Sequence, residues 1–167
     1  MAATPPVRTL RPCEELDYHD TRSIERPGAV TPLAVWNFIT AKPRPILRRA
    51  FRVRDAIAAR FGVKALGGFS GKQHAGVSAG DRLDFFRVEH SDREMLVLTE
   101  RDRHLDVMLC IATSDRWLSI TTSVVVHNTF GRAYMVPVGP VHRLIVADEL
   151  RRLRRKFEGE AARPSTS

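Results

Sequence analysis

The chain reads as an α+β protein: a curved antiparallel sheet, built from a meander of four strands plus an N-terminal strand, wrapped around a long C-terminal helix. Three observations predict this class. Runs at 82–90, 95–100, 104–113 and 117–127 alternate apolar and polar residues with the period of two that half-buried strands need. The breaks between them are short and carry Asp92-Arg93, Asp102-Arg103 and Asp115-Arg116. Aspartate bonds its own backbone in turns, so such breaks favour hairpins over crossovers. Behind the strands comes one basic amphipathic segment, and its apolar stripe needs the sheet's apolar face as a partner.

In chain order, residues 1–14 hold prolines and arginines without an apolar core and are expected to form a disordered leader. Residues 158–167 are expected to form a disordered tail, which leaves 15–157 as one domain. A first strand is expected over 16–26, stopped by Pro27-Gly28. Thr31-Pro32 supplies an N-cap and a proline at the first helical position, opening a helix to 39 that Pro43 and Pro45 end. A second helix starts near Pro45 and stops at Gly62. Its residues Ile46, Ala50, Val53, Ile57 and Phe61 form a helical stripe expected to be buried, with Arg48, Arg49, Arg52 and Arg60 largely away from it. The glycine-rich stretch 67–80 is a loop. It is not a phosphate-binding loop, because Gln73 follows Gly71-Lys72 and Leu66 stands where the first glycine is required.

The last helix is predicted to begin at Pro140, burying Val146, Leu150, Leu153 and Phe157, with His142 and Glu149 on the same side. Arg151, Arg152, Arg154, Arg155 and Lys156 fall in its final turns, where positive charge suits the helix dipole. Turns centred on Arg101-Asp102 and Ser114-Asp115 would set Leu98 against Leu105 and Leu96 against Val107. They would also set Leu105 against Val124, Val107 against Thr122, Leu109 against Ile120 and Ile111 against Leu118. Phe86 and Val88 then join the same apolar face. The opposite face, with Met95, Val97, Thr99, Met108, Ser119, Thr121 and Ser123, is mixed and polar-leaning and expected to be solvated, while Cys110 on the same face is expected to be buried.

At 167 residues the chain is long enough for one domain with a sizeable core. No apolar run approaches the roughly 20 residues of a membrane helix. No secretory signal is expected at the N-terminus, and Cys13 and Cys110 are expected to stay unpaired, so the cytoplasm is the expected compartment. A net charge of +8 either reflects arginine-rich surfaces or attracts an anionic partner. Nucleic acid or an acidic partner would be met through Arg48, Arg49, Arg52, Arg151 and Arg152. Few aromatics are placed to stack on bases, which counts against nucleic acid.

His104-Leu105-Asp106, the run 121–128, Gly131-Arg132-Ala133-Tyr134 and Pro140-Val141-His142-Arg143 together resemble a bacterial domain-of-unknown-function family of the START-like (SRPBCC, helix-grip) superfamily. The resemblance extends loosely over 17–157, including Trp36 and Ala79-Gly80-Asp81. It implies a sheet curled around the C-terminal helix with an apolar cavity between. Members elsewhere in that superfamily bind lipids, sterols or polyketides, and some are cyclases or dehydratases; a shared fold does not carry function across.

The candidate ligand-binding residues are Trp36, His104, Asp106, His127, Arg132, Tyr134 and His142. Arg132 and Tyr134 either orient a carboxylate or carbonyl at a cavity mouth or tie down a turn at Gly131. His104, Asp106 and His127 share one sheet face, with Asp106 expected opposite Ser123 and His104 opposite Val125, as an acid–base group would require. Trp36 either fills the core or lines the cavity. No metal-ligand spacing, nucleophile elbow or cofactor motif is present, and no metal or cofactor is expected. The leading expectation is a binder of a small apolar molecule. The alternatives are a cyclase or dehydratase in the same cavity, or a binder of nucleic acid or an acidic partner. The sequence leaves the oligomeric state open.

Overall fold

Six strands make one curved, open antiparallel sheet in the order β1-β6-β5-β4-β3-β2. They are β1 Tyr18–Glu25, β2 Arg82–Leu83, β3 Phe86–Ser91, β4 Met95–Arg101, β5 Leu105–Thr113 and β6 Trp117–Val126. Among the described residues three α-helices accompany them, α1 Pro32–Ala41, α2 Pro45–Arg60 and α3 Thr129–Ala161, after a short 3-10 turn at Cys13–Glu15. The structure is a computed structural model that describes residues 6–42, 45–60, 62 and 65–161. The long C-terminal helix over a curved sheet is consistent with a helix-grip arrangement. No helix among the described residues is long and apolar enough to cross a membrane.

The hairpins explain the register. Asp92 Oδ1 accepts the N–H groups of Glu94 and Met95 at 2.8 and 2.7 Å, and Asp102 Oδ1 accepts those of His104 and Leu105 at 2.6 and 2.9 Å. Each aspartate therefore sits just before a tight loop rather than inside it. At the third turn Ser114 takes that place, its hydroxyl accepting Trp117 N–H at 3.2 Å, while Asp115 lies within the loop. The turns accordingly centre later than expected. Leu98 faces Leu109 and Leu96 faces Ile111; Leu105 faces Val126, Val107 faces Val124, Leu109 faces Thr122, and Ile111 faces Ile120. Asp106 faces Val125, not Ser123. Each slip is an even number of residues, so every side chain keeps the face its alternation assigned.

A further hairpin splits the run at 82–90. Leu83 pairs with Phe86 around Asp84, whose φ of 55° is left-handed, a conformation that aspartate tolerates better than most residues. β1 joins the far edge by pairing with β6, Tyr18 opposite Val124 and Glu25 opposite Trp117.

On the concave face Phe86, Val88, Leu96, Leu98, Ile111, Leu118 and Ile120 pack with Val146, Leu150 and Leu153 of α3 and with Val35 and Trp36 of α1. Thr31 caps α1 by accepting Ala34 N–H at 3.2 Å. The convex face is not solvated as expected. Met95, Val97, Cys110 and Ala112 form a second buried cluster, and Thr99, Ser119, Thr121 and Ser123 are buried beside it. Residues before β1 lie against this face: Leu10 N–H donates to Ser123 Oγ at 3.1 Å, and the Arg8 backbone bonds the Cys110 thiol, whose pKa burial pushes up.

Two helices differ from expectation. α3 begins at Thr129, not at Pro140, because Asn128 caps it: Asn128 Oδ1 accepts Gly131 N–H at 3.0 Å and its carbonyl accepts Arg132 N–H at 3.1 Å. Pro137 and Pro140 lie inside the helix. α2 has the expected bounds but is turned about its axis. Leu47 and Ala58 are buried and Phe51 is half-buried, whereas Val53 is 60% and Ile57 40% exposed. The Phe51 ring packs edge-on to Phe69 and Phe85, with centroids 5.2 and 5.8 Å away. Anchoring that large ring outweighs burying two aliphatic side chains. Phe61 of the expected stripe lies outside the described residues, as does the side chain of Ile46.

Candidate functional site

The first half of α3 crosses the sheet at the end where β5 begins. Gly131 makes this approach possible, since a Cβ there would stand 2.4 Å from the His104 carbonyl oxygen. Gly139 does the same one step on, where a Cβ would meet the Tyr18 ring at 3.1 Å. Tyr18 OH donates to the Gly139 carbonyl at 3.2 Å. This close crossing brings His142 over β1 and β6. Its Nε2 lies 3.5 Å from Thr122 Oγ1 and its ring is edge-on to Tyr18, with centroids 6.2 Å apart. The other ring nitrogen, Nδ1, is buried with no hydrogen-bond partner among the described residues. Burial lowers the pKa of His142, against the opposing pull of the Asp20 charge, so the ring is neutral at pH 7.

Around this imidazole the polar groups are tied to one another. Asp20 accepts from Arg22 Nε at 3.2 Å and lies 3.6 Å from Arg143 Nε. The Arg143 guanidinium sits over the Tyr18 ring, 5.3 Å from its centroid. Burial raises the Tyr18 phenol pKa, partly offset by its hydrogen bond with Arg143. His142 thus stands apart as the group with unused hydrogen-bonding capacity.

The inward residues of β5 beneath this part of α3 are apolar. On β5 the inward side chain Ile111 is fully buried, whereas Leu109, Val107 and Leu105 are half-buried. Leu109 is directly opposite Thr122, the partner of His142. Two helical turns before His142, on the same side of α3, Tyr134 is hydrogen-bonded to Arg54 of α2; burial raises its pKa and the Arg54 charge opposes that shift. Arg54 in turn contacts Asp55 Oδ1 at 2.8 Å. Burial would raise the Asp55 pKa, but hydrogen bonds from Leu66 N–H, Arg54 and Gly67 N–H outweigh it and hold the carboxyl below its ordinary value. Asp55 therefore pins the start of the glycine-rich loop to α2.

The remaining candidates lie elsewhere. Trp36 is only 2% exposed and packs edge-on to Phe69 and Phe86. Arg132 is exposed on α3, and Gly131 lies within that helix rather than at a turn. His127 Nε2 is 3.1 Å from Asp106 Oδ1, with Arg101 3.8 Å from the same carboxylate, at the convex rim. His104 does not join that pair. Its Nδ1 meets the Asn128 carboxamide, with Nδ2 2.9 Å away, and its ring packs edge-on to Phe130. Among the described residues no three His, Cys, Asp or Glu side chains come together as a metal site.

Thr122 and Arg54 were not among the sequence candidates, and Tyr18 stands out in the sequence only weakly, within the run Asp17-Tyr18-His19-Asp20. Tyr18 and Asp20 belong to the Asp17-Tyr18-His19-Asp20 cluster, whose alternation along a strand is the one signal that points two of its members inward. Arg54 carries no such signal, because α2 offers two comparable apolar stripes.

No curated protein and no solved structure matches this chain. A family model described as protein of unknown function (DUF2867) matches residues 13–148. The chain belongs to that family.

Proposed function

We propose that the protein binds a small, mostly apolar molecule between the concave sheet face and the first half of α3. The observation that carries this reading is the buried Nδ1 of His142, without a hydrogen-bond partner among the described residues, on a ring that lies over Thr122, whose strand partner on the same face is the half-buried Leu109. A neutral imidazole gives one donor and one acceptor, which suits a hydroxyl or carbonyl on an otherwise apolar ligand. The arrangement of long helix over curved sheet, which helix-grip proteins also use, supports the same reading. A cyclase or dehydratase finds less support, since Asp106 and His127 pair at the convex rim and Arg132 is exposed.

Native mass spectrometry and solvent extraction of the purified protein test the proposal, together with titration of a fluorescent fatty-acid probe. The expected result is one bound molecule per chain. Loss of one hydrogen bond in His142→Phe should weaken probe binding by about tenfold. Val107→Trp should fill the hollow and abolish binding. Probe binding by Val107→Trp at wild-type affinity would overturn the proposal.

A further inference from the structure

We propose that α2 docks the protein onto an anionic lipid surface. The helix presents two adjacent exposed ridges with i to i+4 spacing. One carries Arg49, Val53 and Ile57; the other carries Arg48, Arg52 and Arg60. All six side chains are exposed, and none of the four arginines is paired with a carboxylate among the described residues. The helix has one acidic residue, Asp55, which is turned inward and committed to Arg54, Leu66 and Gly67. Arg48, Arg49, Arg52 and Pro45 also line an open groove of about 280 Å³ at the start of the helix.

Charge complementarity selects an anionic occupant, because four unpaired guanidiniums repel a second copy of the same face. The aliphatic pair selects among anions. Val53 at 60% and Ile57 at 40% exposure lie between the arginines and the buried side of the helix, where a phosphate backbone would gain nothing from them. A lipid surface takes both, headgroups meeting the guanidiniums and the acyl boundary meeting the aliphatics. Among the described residues the face presents no aromatic ring on which a base would stack. The basic end of α3 is a weaker candidate: Arg152 is held by Glu149 at 2.7 Å and Arg154 by Glu158 at 2.7 Å. The docking proposal does not depend on a ligand site beneath α3.

The test is flotation of the full chain with vesicles of phosphatidylcholine alone and of phosphatidylcholine mixed with phosphatidylglycerol. The expected result is retention on the mixed vesicles only, lost when salt at about 1 M shortens the screening length to about 3 Å. With each arginine near an anionic surface worth about fivefold in partitioning, the triple variant Arg48→Glu, Arg49→Glu, Arg52→Glu should lose on the order of a hundredfold. Val53→Ser with Ile57→Ser should lose about tenfold while keeping the charge. These positions are exposed, and unchanged thermal unfolding confirms that the variants are folded. Equal retention on both vesicle types, or none on either, overturns the proposal. So does binding to a DNA duplex or an acidic polypeptide that displaces the vesicles and is untouched by the serine pair.

Discussion

His142 Nε2 reaches Thr122 Oγ1 at 3.5 Å, while its Nδ1 is buried without a partner. This makes the imidazole a sensor of protonation. Burial lowers its pKa below the ordinary 6.5, so the unfolded chain binds a proton that the folded one resists. Stability should therefore be full above pH 6.5 and fall as pH drops from there toward the depressed value. Tyr18, Asp20 and Thr122 face the ring, and Arg143 reaches Asp20 and the Tyr18 ring behind them. Thermal unfolding followed across this range should show a steeper acid loss in the wild type than in His142→Phe. Parallel curves for the two proteins would show that the ring does not resist its proton.

The close crossing of α3 over β5 gives a second expectation. Gly131→Ala places a methyl carbon 2.4 Å from a backbone carbonyl oxygen, and neither partner is the end of a flexible side chain. Overpacking of this kind costs about 1–3 kcal/mol, which urea unfolding will register as a lower midpoint with an unchanged slope. Gly159→Ala, on the same helix with open space around it, should be neutral or slightly stabilising.

The three Asp-Arg pairs are not equivalent. Asp102→Ala removes an acceptor from two backbone N–H groups and should cost about 1–2 kcal/mol. Asp115→Ala removes none, and its effect should stay within about 0.5 kcal/mol. At that turn Ser114→Ala is the variant expected to matter. Chemical denaturation of the three proteins side by side checks the order.

Much of the fold was legible because alternation and turn chemistry are local. Leu96, Leu98, Ile111 and Ile120 reached the concave face as predicted even though two turns were centred too early, since an even slip preserves facing. Thr31-Pro32 opened α1 where a cap and a first-turn proline predict it. The start of α3 was less legible: Asn128 is a good cap, but Pro137 and Pro140 argue for a helix that begins later. Of the seven candidate residues, His142 and Tyr134 lie along one side of α3 beside the sheet, while Trp36, His104, Asp106, His127 and Arg132 are distributed over the core, the rim and the surface.

By itself the sequence determined most of the strands, their facing and the presence of a C-terminal helix over the sheet, because each depends on periodicity within a few residues. Only the tertiary structure decided which stripe of α2 is buried and which ring nitrogen of His142 is left without a partner. Both depend on what packs against them from distant segments: the Phe69 and Phe85 rings on Phe51 in one case, Tyr18 and Thr122 in the other. Turning α2 inward on Phe51 sends Val53 and Ile57 outward among the arginines, and that rotation creates the face proposed to meet lipid.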